Sequence, residues 1–187
     1  MKLSSKLIGF ALWLSALPVS AGFANVDLSE APCCSKFALS DPQGKTRTID
    51  GYRGKVVVIT FGFTNCPDVC PTTLQSLAEM MSLLGSQGQS VQVLFVTLDP
   101  HRDTTQILSQ YVPSFNPSFV ALRGSDAQTA KAASDFRVVF RRVPGTTPGT
   151  YTVDHTIGVY VLDKSGKARV FARSPGPRRL ASDNRRL

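Results

Sequence analysis

Two cysteines and one histidine stand out in this 187-residue sequence, because their types and spacing could hold a soft metal ion or exchange a disulfide. Three residues separate Cys66 from Cys70, one more than in the C-x-x-C pairs of thioredoxin-type redox proteins. The wider spacing still permits a disulfide, and it also lets two sulfur atoms converge on one metal ion. A plain stabilising disulfide is a further interpretation, although so small a loop would stabilise the fold little.

The histidines bear on which of these chemistries the cysteines perform. The sequence contains two, His101 and His155. His155 lies where a loop is predicted to enter a strand, and strand ends of an open α/β sheet tend to gather around a site. Two thiolates and one imidazole suit Cu(I) and tolerate Cu(II), whereas structural zinc usually recruits four ligands, and the sequence offers no evident fourth. His101 falls in a polar turn, where we expect it to be exposed.

The cysteine pair lies between a predicted strand and a predicted helix. Residues 55–63 form a continuous β-branched and aromatic run, which is typical of a strand covered on both faces. Leu74, Leu77 and Leu84 then recur at helical spacing, and Gly85 provides a stop. At such a junction the free N–H groups and the positive end of the helix dipole favour thiolates, so we expect both cysteines to ionise readily.

The rest of the chain alternates predicted strands and helices. Asp103 and Gln106 fit a capping box for a helix that runs to about Val112, and Ser125 or Asp126 is expected to cap the next one. A short hairpin precedes these elements and an antiparallel hairpin closes the domain, so the sequence predicts an α/β sandwich with a mixed sheet and an N-terminal hairpin. The further predicted elements are the first hairpin at 37–45, strands at 91–98, 119–123, 151–156, 157–162 and 168–172, and a short last helix at 178–186.

The chain begins with a predicted export signal. Two lysines precede an uncharged, largely apolar stretch that ends in small residues, which predicts a signal peptide at residues 1–21. An uncleaved membrane anchor is the alternative, because the stretch just reaches spanning length. We expect residues 22–35 to form a linker and residues 36–187 to form one domain in an oxidising compartment, the periplasm.

The positive charge of the chain is concentrated at its C-terminal end. The net charge is +8, and residues 164–187 contain eight Lys and Arg against Asp183 alone. Residues 22–163 are therefore close to neutral, which argues against a nucleic-acid-binding body. A solvated end is one interpretation of the basic segment, and contact with anionic lipid headgroups or an acidic partner is the other.

Two further cysteines, Cys33 and Cys34, are adjacent in the sequence. They could be unpaired or bridged to each other without a catalytic role. An auxiliary redox or metal role is the alternative, because an exposed reduced pair in this compartment would oxidise or bind a soft metal.

Three motifs, taken in order, closely resemble the Sco/SenC family over residues 36–187. They are Cys66-Pro-Asp-Val-Cys70-Pro, Leu98-Asp-Pro-His-Arg-Asp-Thr104 and Val153-Asp-His155. The resemblance implies a thioredoxin-like fold in which Cys66, Cys70 and His155 are copper ligands. His101 stands where the family usually has an acidic residue, and the adjacent cysteines are not a family feature.

The resemblance also implies a function, that of a copper metallochaperone that helps load the dinuclear copper centre of cytochrome c oxidase. Its expected partners are the copper-bearing subunit of the oxidase and a periplasmic copper donor, and the protein is expected to be a monomer. We do not expect an enzyme, but a thiol–disulfide oxidoreductase that reduces the acceptor's cysteines through Cys66 and Cys70 is the alternative. The two functions differ at His155, which copper binding needs and simple exchange does not.

Overall fold

The computed structural model describes residues 25–34, 36–174 and 176–187. The predicted signal peptide at residues 1–21 lies outside the described residues. The strands are β1 Val26–Asp27, β2 Ala38–Ser40, β3 Thr46–Thr48, β4 Val56–Gly62, β5 Val91–Thr97, β6 Val120–Leu122, β7 Phe140–Pro144, β8 Tyr151–His155, β9 Val159–Leu162 and β10 Ala168–Ala172. The helices are α1 Val69–Leu84, α2 Thr105–Phe115, α3 Asp126–Asp135 and α4 Pro177–Asn184.

The main sheet is mixed, as the sequence predicts. Its strands follow the order β1-β10-β9-β4-β5-β6. The pairs β4–β5 and β5–β6 are parallel, whereas β9 pairs antiparallel with both β4 and β10. All seven residues of the central strand β4 are buried, which explains its continuous apolar sequence.

Helices and a hairpin cover the two faces of this sheet. Alternate side chains of β4 point to opposite faces, because successive residues of a strand do so. Val58 packs in a core with Leu77 of α1 and Leu108 of α2, and α4 joins the same face. Ile59 packs in the other core, where Phe136 caps α3 and the hairpin β2–β3 contributes. The result is an α/β sandwich whose sheet lies between two covering layers.

Two hairpins lie outside the main sheet. β2 and β3 pair antiparallel around a turn in which Gly44 takes a φ of +81°, which confirms the predicted N-terminal hairpin. β7 and β8 form the second hairpin, in which Phe140 pairs with His155. Pairing along the whole of β8 fixes the backbone that carries His155.

The start of α2 differs from the prediction. Thr104, not Asp103, caps this helix by accepting a hydrogen bond from the backbone N–H of Ile107 at 3.2 Å. Asp103 is fully buried instead, and its carboxylate accepts hydrogen bonds from residues elsewhere in the fold. The helix also continues through Pro113 to Phe115 rather than ending near Val112.

α4 ends at Asn184, two residues before the predicted limit. In the described part of the chain, no helix combines the length and the apolar character that crossing a bilayer requires.

Candidate metal centre

The two cysteines lie on either side of the start of α1. Cys66 is in the loop that leaves β4, and Cys70 is the second residue of the helix. The residue Cys70 is 4% exposed, whereas Cys66 is half-buried. Both are free thiols in the structure, so the pair is in its reduced form.

Gly62, the last residue of β4, makes room for the Cys70 sulfur. A Cβ atom at this position would lie 2.7 Å from Cys70 Sγ and 3.1 Å from the ring of Phe95. No side chain fits at that separation, so glycine is required for Cys70 to approach the strand. The sequence carries a signal of this, since a glycine within a β-branched strand often marks a close approach.

His155 faces the same sulfur. Its Nε2 lies 3.7 Å from Cys70 Sγ, and its Nδ1 lies 3.0 Å from the carbonyl oxygen of Thr156. Because a carbonyl only accepts, the neutral imidazole carries its proton on Nδ1 and directs the lone pair of Nε2 towards the cysteine. The ring of Phe63 stands edge-on to the imidazole at 6.1 Å.

The position of His155 along the chain differs from the prediction. We expected it where a loop enters a strand, and it is the last residue of β8. The pairing of β7 with β8 holds the ring beside Cys70.

The three predicted ligands are not gathered into a complete site. Among residues 25–34, 36–174 and 176–187, no three His, Cys, Asp or Glu side chains stand in an arrangement that would hold a metal ion. The structure brings Cys70 and His155 together, and Cys66 is close enough to Cys70 to affect its ionisation. Completing a three-ligand site therefore requires a local rearrangement of these side chains.

Ionisation of Cys70 is harder than the sequence indicates. Burial raises the pKa of its thiol, and the neighbouring Cys66 and the Asp103 carboxylate raise it further, while a backbone hydrogen bond with Phe63 opposes them. The expectation that the start of the helix favours a thiolate is thus wrong for Cys70. Burial outweighs the helix dipole because the sulfur has almost no contact with water.

Asp103 holds the loop that carries Cys66. Its carboxylate accepts hydrogen bonds from the backbone N–H and the hydroxyl of Thr64, the latter at 2.6 Å, and from the hydroxyl of Thr97 at 2.5 Å. Burial raises the pKa of Asp103, although these hydrogen bonds oppose it. The bonds tie the end of β5 to the residues just before Cys66.

Asp99 and Arg102 hold the strand that carries His155. The Tyr151 hydroxyl donates to Asp99 at 2.7 Å, and Arg102 donates to the same carboxylate and, at 2.7 Å, to the carbonyl of Tyr151. The guanidinium also lies 3.7 Å from the centre of the Tyr151 ring. The motif at 98–104 therefore fixes both the cysteine loop and the start of β8, a role that spacing alone did not indicate.

The second histidine and two acidic side chains near the motifs are not in contact with Cys70 or His155 in the hydrogen bonds that the structure shows. His101 is exposed, as expected, and its Nε2 lies 2.8 Å from a carboxylate oxygen of Asp126. Asp154, next to His155, pairs with Arg141 at 3.3 Å. Asp68 is exposed at the start of α1.

Asp103→Ala should lower the free energy of unfolding by about 3 kcal/mol, because it removes the carboxylate that accepts hydrogen bonds from three buried or half-buried donors of Thr64 and Thr97. Chemical denaturation of the reduced protein measures this loss. Asp126→Ala is the matched control, since it removes an exposed carboxylate and should change the stability by less than about 0.5 kcal/mol. Equal losses for the two variants would contradict the role given to Asp103.

Comparisons with known proteins show which family and fold the chain resembles. The SCO1/SenC family model matches residues 26–187. An SCO2-like protein of Rickettsia typhi is 33% identical over 148 residues, which make up 79% of this chain and 73% of the relative.

Two solved structures resemble the fold closely. The copper-bound ScoI of Bradyrhizobium japonicum has a TM-score of 0.75 and 35% identity, over 82% of this chain and 98% of that chain. The apo Sco1 of Thermus thermophilus has a TM-score of 0.80 and 35% identity, over 90% and 99%. These likenesses confirm the thioredoxin-like α/β fold. Together with the match over residues 26–187, they establish that the chain belongs to the SCO1/SenC family.

Proposed function

We propose that this protein is a copper metallochaperone, which holds one copper ion with Cys66, Cys70 and His155 and delivers it to the copper-bearing subunit of cytochrome c oxidase. The observation that carries the proposal is the 3.7 Å approach of His155 Nε2 to Cys70 Sγ, with Nδ1 engaged by a carbonyl. A free imidazole lone pair beside a thiol, with a second thiol in the adjoining loop, is a donor set that suits copper.

The relatives support the choice of cargo and destination. The Bradyrhizobium japonicum ScoI, which is 35% identical, is a structure with copper bound. The Sco/SenC family, which the three motifs resemble, is involved in assembling cytochrome c oxidase. Loading of the dinuclear copper centre of the oxidase is therefore the step that we assign to this chain.

Each ligand has a distinct part in binding. Cys66 and Cys70 lose their protons to solvent and become thiolates, and His155 contributes the lone pair of Nε2 while its Nδ1–H continues to donate to the Thr156 carbonyl oxygen. Cys66 is the ligand best able to leave and return, because it lies half-buried in a loop rather than in a helix. Transfer then proceeds by ligand exchange, as the cysteines of the acceptor replace Cys66 and Cys70 of this protein as copper ligands.

Copper(I) binding should tighten as the pH rises. Burial raises the pKa of the Cys70 thiol, so the metal-free protein keeps this proton at neutral pH, and copper must displace it. The association constant should rise about tenfold per pH unit for each proton displaced. Competition with a chromophoric Cu(I) chelator from about pH 6 to about pH 8 measures the slope. An association constant that does not change with pH would count against thiolate ligation by Cys70.

Thiol–disulfide exchange is the second candidate function, and one observation favours it. Cys66 is half-buried and Cys70 lies buried behind it, which is the arrangement of an attacking thiol and a resolving thiol. In this function the reduced pair passes two electrons to a disulfide of the acceptor and becomes a disulfide itself. No metal is transferred.

We also propose the setting in which the protein acts. The functional domain, predicted to span residues 36–187, also takes in β1, which pairs with β10; it is monomeric and is loaded by a periplasmic copper donor. Residues 1–21 direct the chain to the periplasm or anchor it in the inner membrane. Arg178 and Arg179 of α4 are exposed, which supports contact between the basic C-terminal segment and anionic lipid.

A transfer experiment separates the two functions. The reduced, Cu(I)-loaded protein is mixed with the metal-free, reduced copper domain of the oxidase subunit, and the two proteins are separated and analysed for copper. We expect copper to move to the acceptor, and we expect the Cys66–Cys70 disulfide form to bind no copper at this site. Failure to transfer copper, together with reduction of an oxidised acceptor by the metal-free protein, would favour the oxidoreductase.

A further inference from the structure

The adjacent cysteines Cys33 and Cys34 form a disulfide, in contrast to the reduced pair at the copper site. They line a groove of about 900 Å³ between the N-terminal segment, the end of α3 and the start of β7. The three proposed copper ligands do not line this groove. A second sulfur centre is therefore accessible on a different part of the surface.

The two sulfur atoms of this disulfide are not equivalent. Cys34 is 1% exposed, and its backbone N–H donates to the carbonyl of Asp135 at 2.8 Å. Cys33 is half-buried. An attacking thiol that enters the groove therefore meets Cys33 first, and the sulfur of Cys34 becomes the leaving group.

The groove is positively charged. Lys36 and Arg137 are exposed and line it, whereas the carboxylate of Asp135 is paired with Lys131 at 3.3 Å. Val139, which is 75% exposed, adds an apolar contact on the wall formed by the residues before β7. An anionic ligand with a small apolar portion would complement this surface.

The backbone at the groove is held in an uncommon conformation. Cys34 has a φ of +67° and Arg137 a φ of +58°, and among the described residues no other non-glycine residue has a positive φ. Glycine usually takes the position of Arg137, just after a helix, so a charged side chain at this point is notable. Strained residues tend to collect where a protein binds or reacts.

We propose that the Cys33–Cys34 disulfide is a second thiol–disulfide exchange site, which accepts electrons from an anionic thiol peptide that binds in this groove. The inference goes beyond the copper site and does not depend on its function. A groove of about 900 Å³ falls in the range of about 300–1,000 Å³ found for small-molecule sites, so a tripeptide thiol fits.

The exchange takes place in two balanced steps. A thiolate of the peptide attacks Cys33 Sγ and forms a mixed disulfide, while the bond between the two cysteines breaks and Cys34 leaves as a thiolate that takes up a proton. A second peptide thiol attacks the peptide sulfur of the mixed disulfide and releases Cys33 as a thiol. Two peptide thiols are oxidised to one disulfide, and the cysteine pair gains two electrons and two protons.

Reaction rates with thiols of different charge test the groove. In the Cys66→Ser/Cys70→Ser variant of the whole chain, thiol alkylation and mass spectrometry follow reduction by glutathione, which is anionic, and by cysteamine, which is cationic. Per thiolate and at low salt, we expect glutathione to react about tenfold faster, because a positive groove raises the local concentration of an anion by at least about this factor. Lys36→Glu/Arg137→Glu should reverse the preference. Lys164→Glu, an exposed lysine outside the groove, should leave it unchanged.

Peptide mapping identifies the attacked sulfur without any substitution at the pair. After an early acid quench, glutathione should be found on Cys33 rather than on Cys34. With oxidised glutathione, whose disulfide supplies the two oxidising equivalents, the Cys34→Ser variant should form a mixed disulfide at Cys33 and release one glutathione thiolate, whereas Cys33→Ser should react at least about tenfold more slowly because its remaining thiol is buried. Equal rates per thiolate for the two thiols, glutathione on Cys34, or no reaction with glutathione would each overturn the proposal.

Discussion

Cys70→Ala should abolish tight copper binding, with the association constant for Cu(I) falling by roughly a thousandfold or more. Loss of a partner that only orients a ligand costs about 10–100-fold in metal affinity, and we expect the loss of one of two thiolate ligands to cost Cu(I) more. Cys70 is the sulfur that faces His155 Nε2, so its removal leaves only Cys66 and the imidazole, with the ion open to water. Competition with a Cu(I) chelator, under reducing conditions, measures the loss.

Cys66→Ala and His101→Ala show whether this loss is one of ligation or of folding. Cys66→Ala should also lose tight binding, but with a smaller effect on stability, because Cys66 is half-buried and Cys70 is packed against Gly62. His101→Ala should retain stoichiometric copper, since its side chain is exposed and pairs with Asp126. Retention of tight, stoichiometric Cu(I) by Cys70→Ala would show that the assigned ligand set is wrong.

Much of the fold could be predicted because its strands and helix caps are specified by residues that lie close together in the sequence. The run at 55–63 is buried on both faces of the sheet, and a continuous apolar strand cannot be accommodated at a solvated surface. The capping box at Ser125 and Gln128 was within reach of sequence reasoning for the same reason, because its partners are three residues apart. Elements of this kind are specified by near neighbours along the chain.

Asp103 was assigned to the wrong structural role because the partners of its carboxylate lie on other elements of the fold. The pattern of Asp103 and Gln106 is a valid capping signal, yet the carboxylate is taken up by Thr64, which lies 39 residues away, and by Thr97. A buried carboxylate that accepts several hydrogen bonds is favoured over an exposed cap, and Thr104 supplies the cap instead. Spacing cannot reveal a contact that only the assembled sheet creates.

The ionisation of Cys70 shows the same limit in energetic terms. The sequence places Cys70 at the junction of strand and helix, the structure makes it the second residue of α1, and the dipole of a helix favours a thiolate there. Whether the dipole or the loss of water contact dominates depends on burial, and Gly62 allows the sulfur to sit directly against β4. The pKa of Cys70 is raised for that reason. The residue types of the site therefore predicted which chemistry it could perform. The direction in which the pKa of Cys70 shifts could not be predicted, because it depends on how the sulfur is packed in the fold.

His155→Ala should separate the two oxidation states of copper. Cu(I) can be held by two soft sulfur ligands alone, so it should still bind, with an affinity lowered by about tenfold. Cu(II) prefers nitrogen and more ligands, so its affinity should fall by at least about a hundredfold once Nε2 is removed. Separate titrations with Cu(I) under reducing conditions and with Cu(II) in the absence of added reductant measure the two losses.

Thiol–disulfide exchange by the same variant is the internal control. Exchange depends on the thiolate character and accessibility of Cys66 and Cys70, so His155→Ala should keep most of this activity if the cysteine loop is intact. The loop should remain intact, because its hydrogen bonds run from Thr64 to Asp103 and do not involve the imidazole. A variant that exchanges disulfides normally but has lost Cu(II) would assign the imidazole to the metal. If wild-type and His155→Ala proteins bind Cu(II) equally, the three-ligand site is wrong and the oxidoreductase function should replace it.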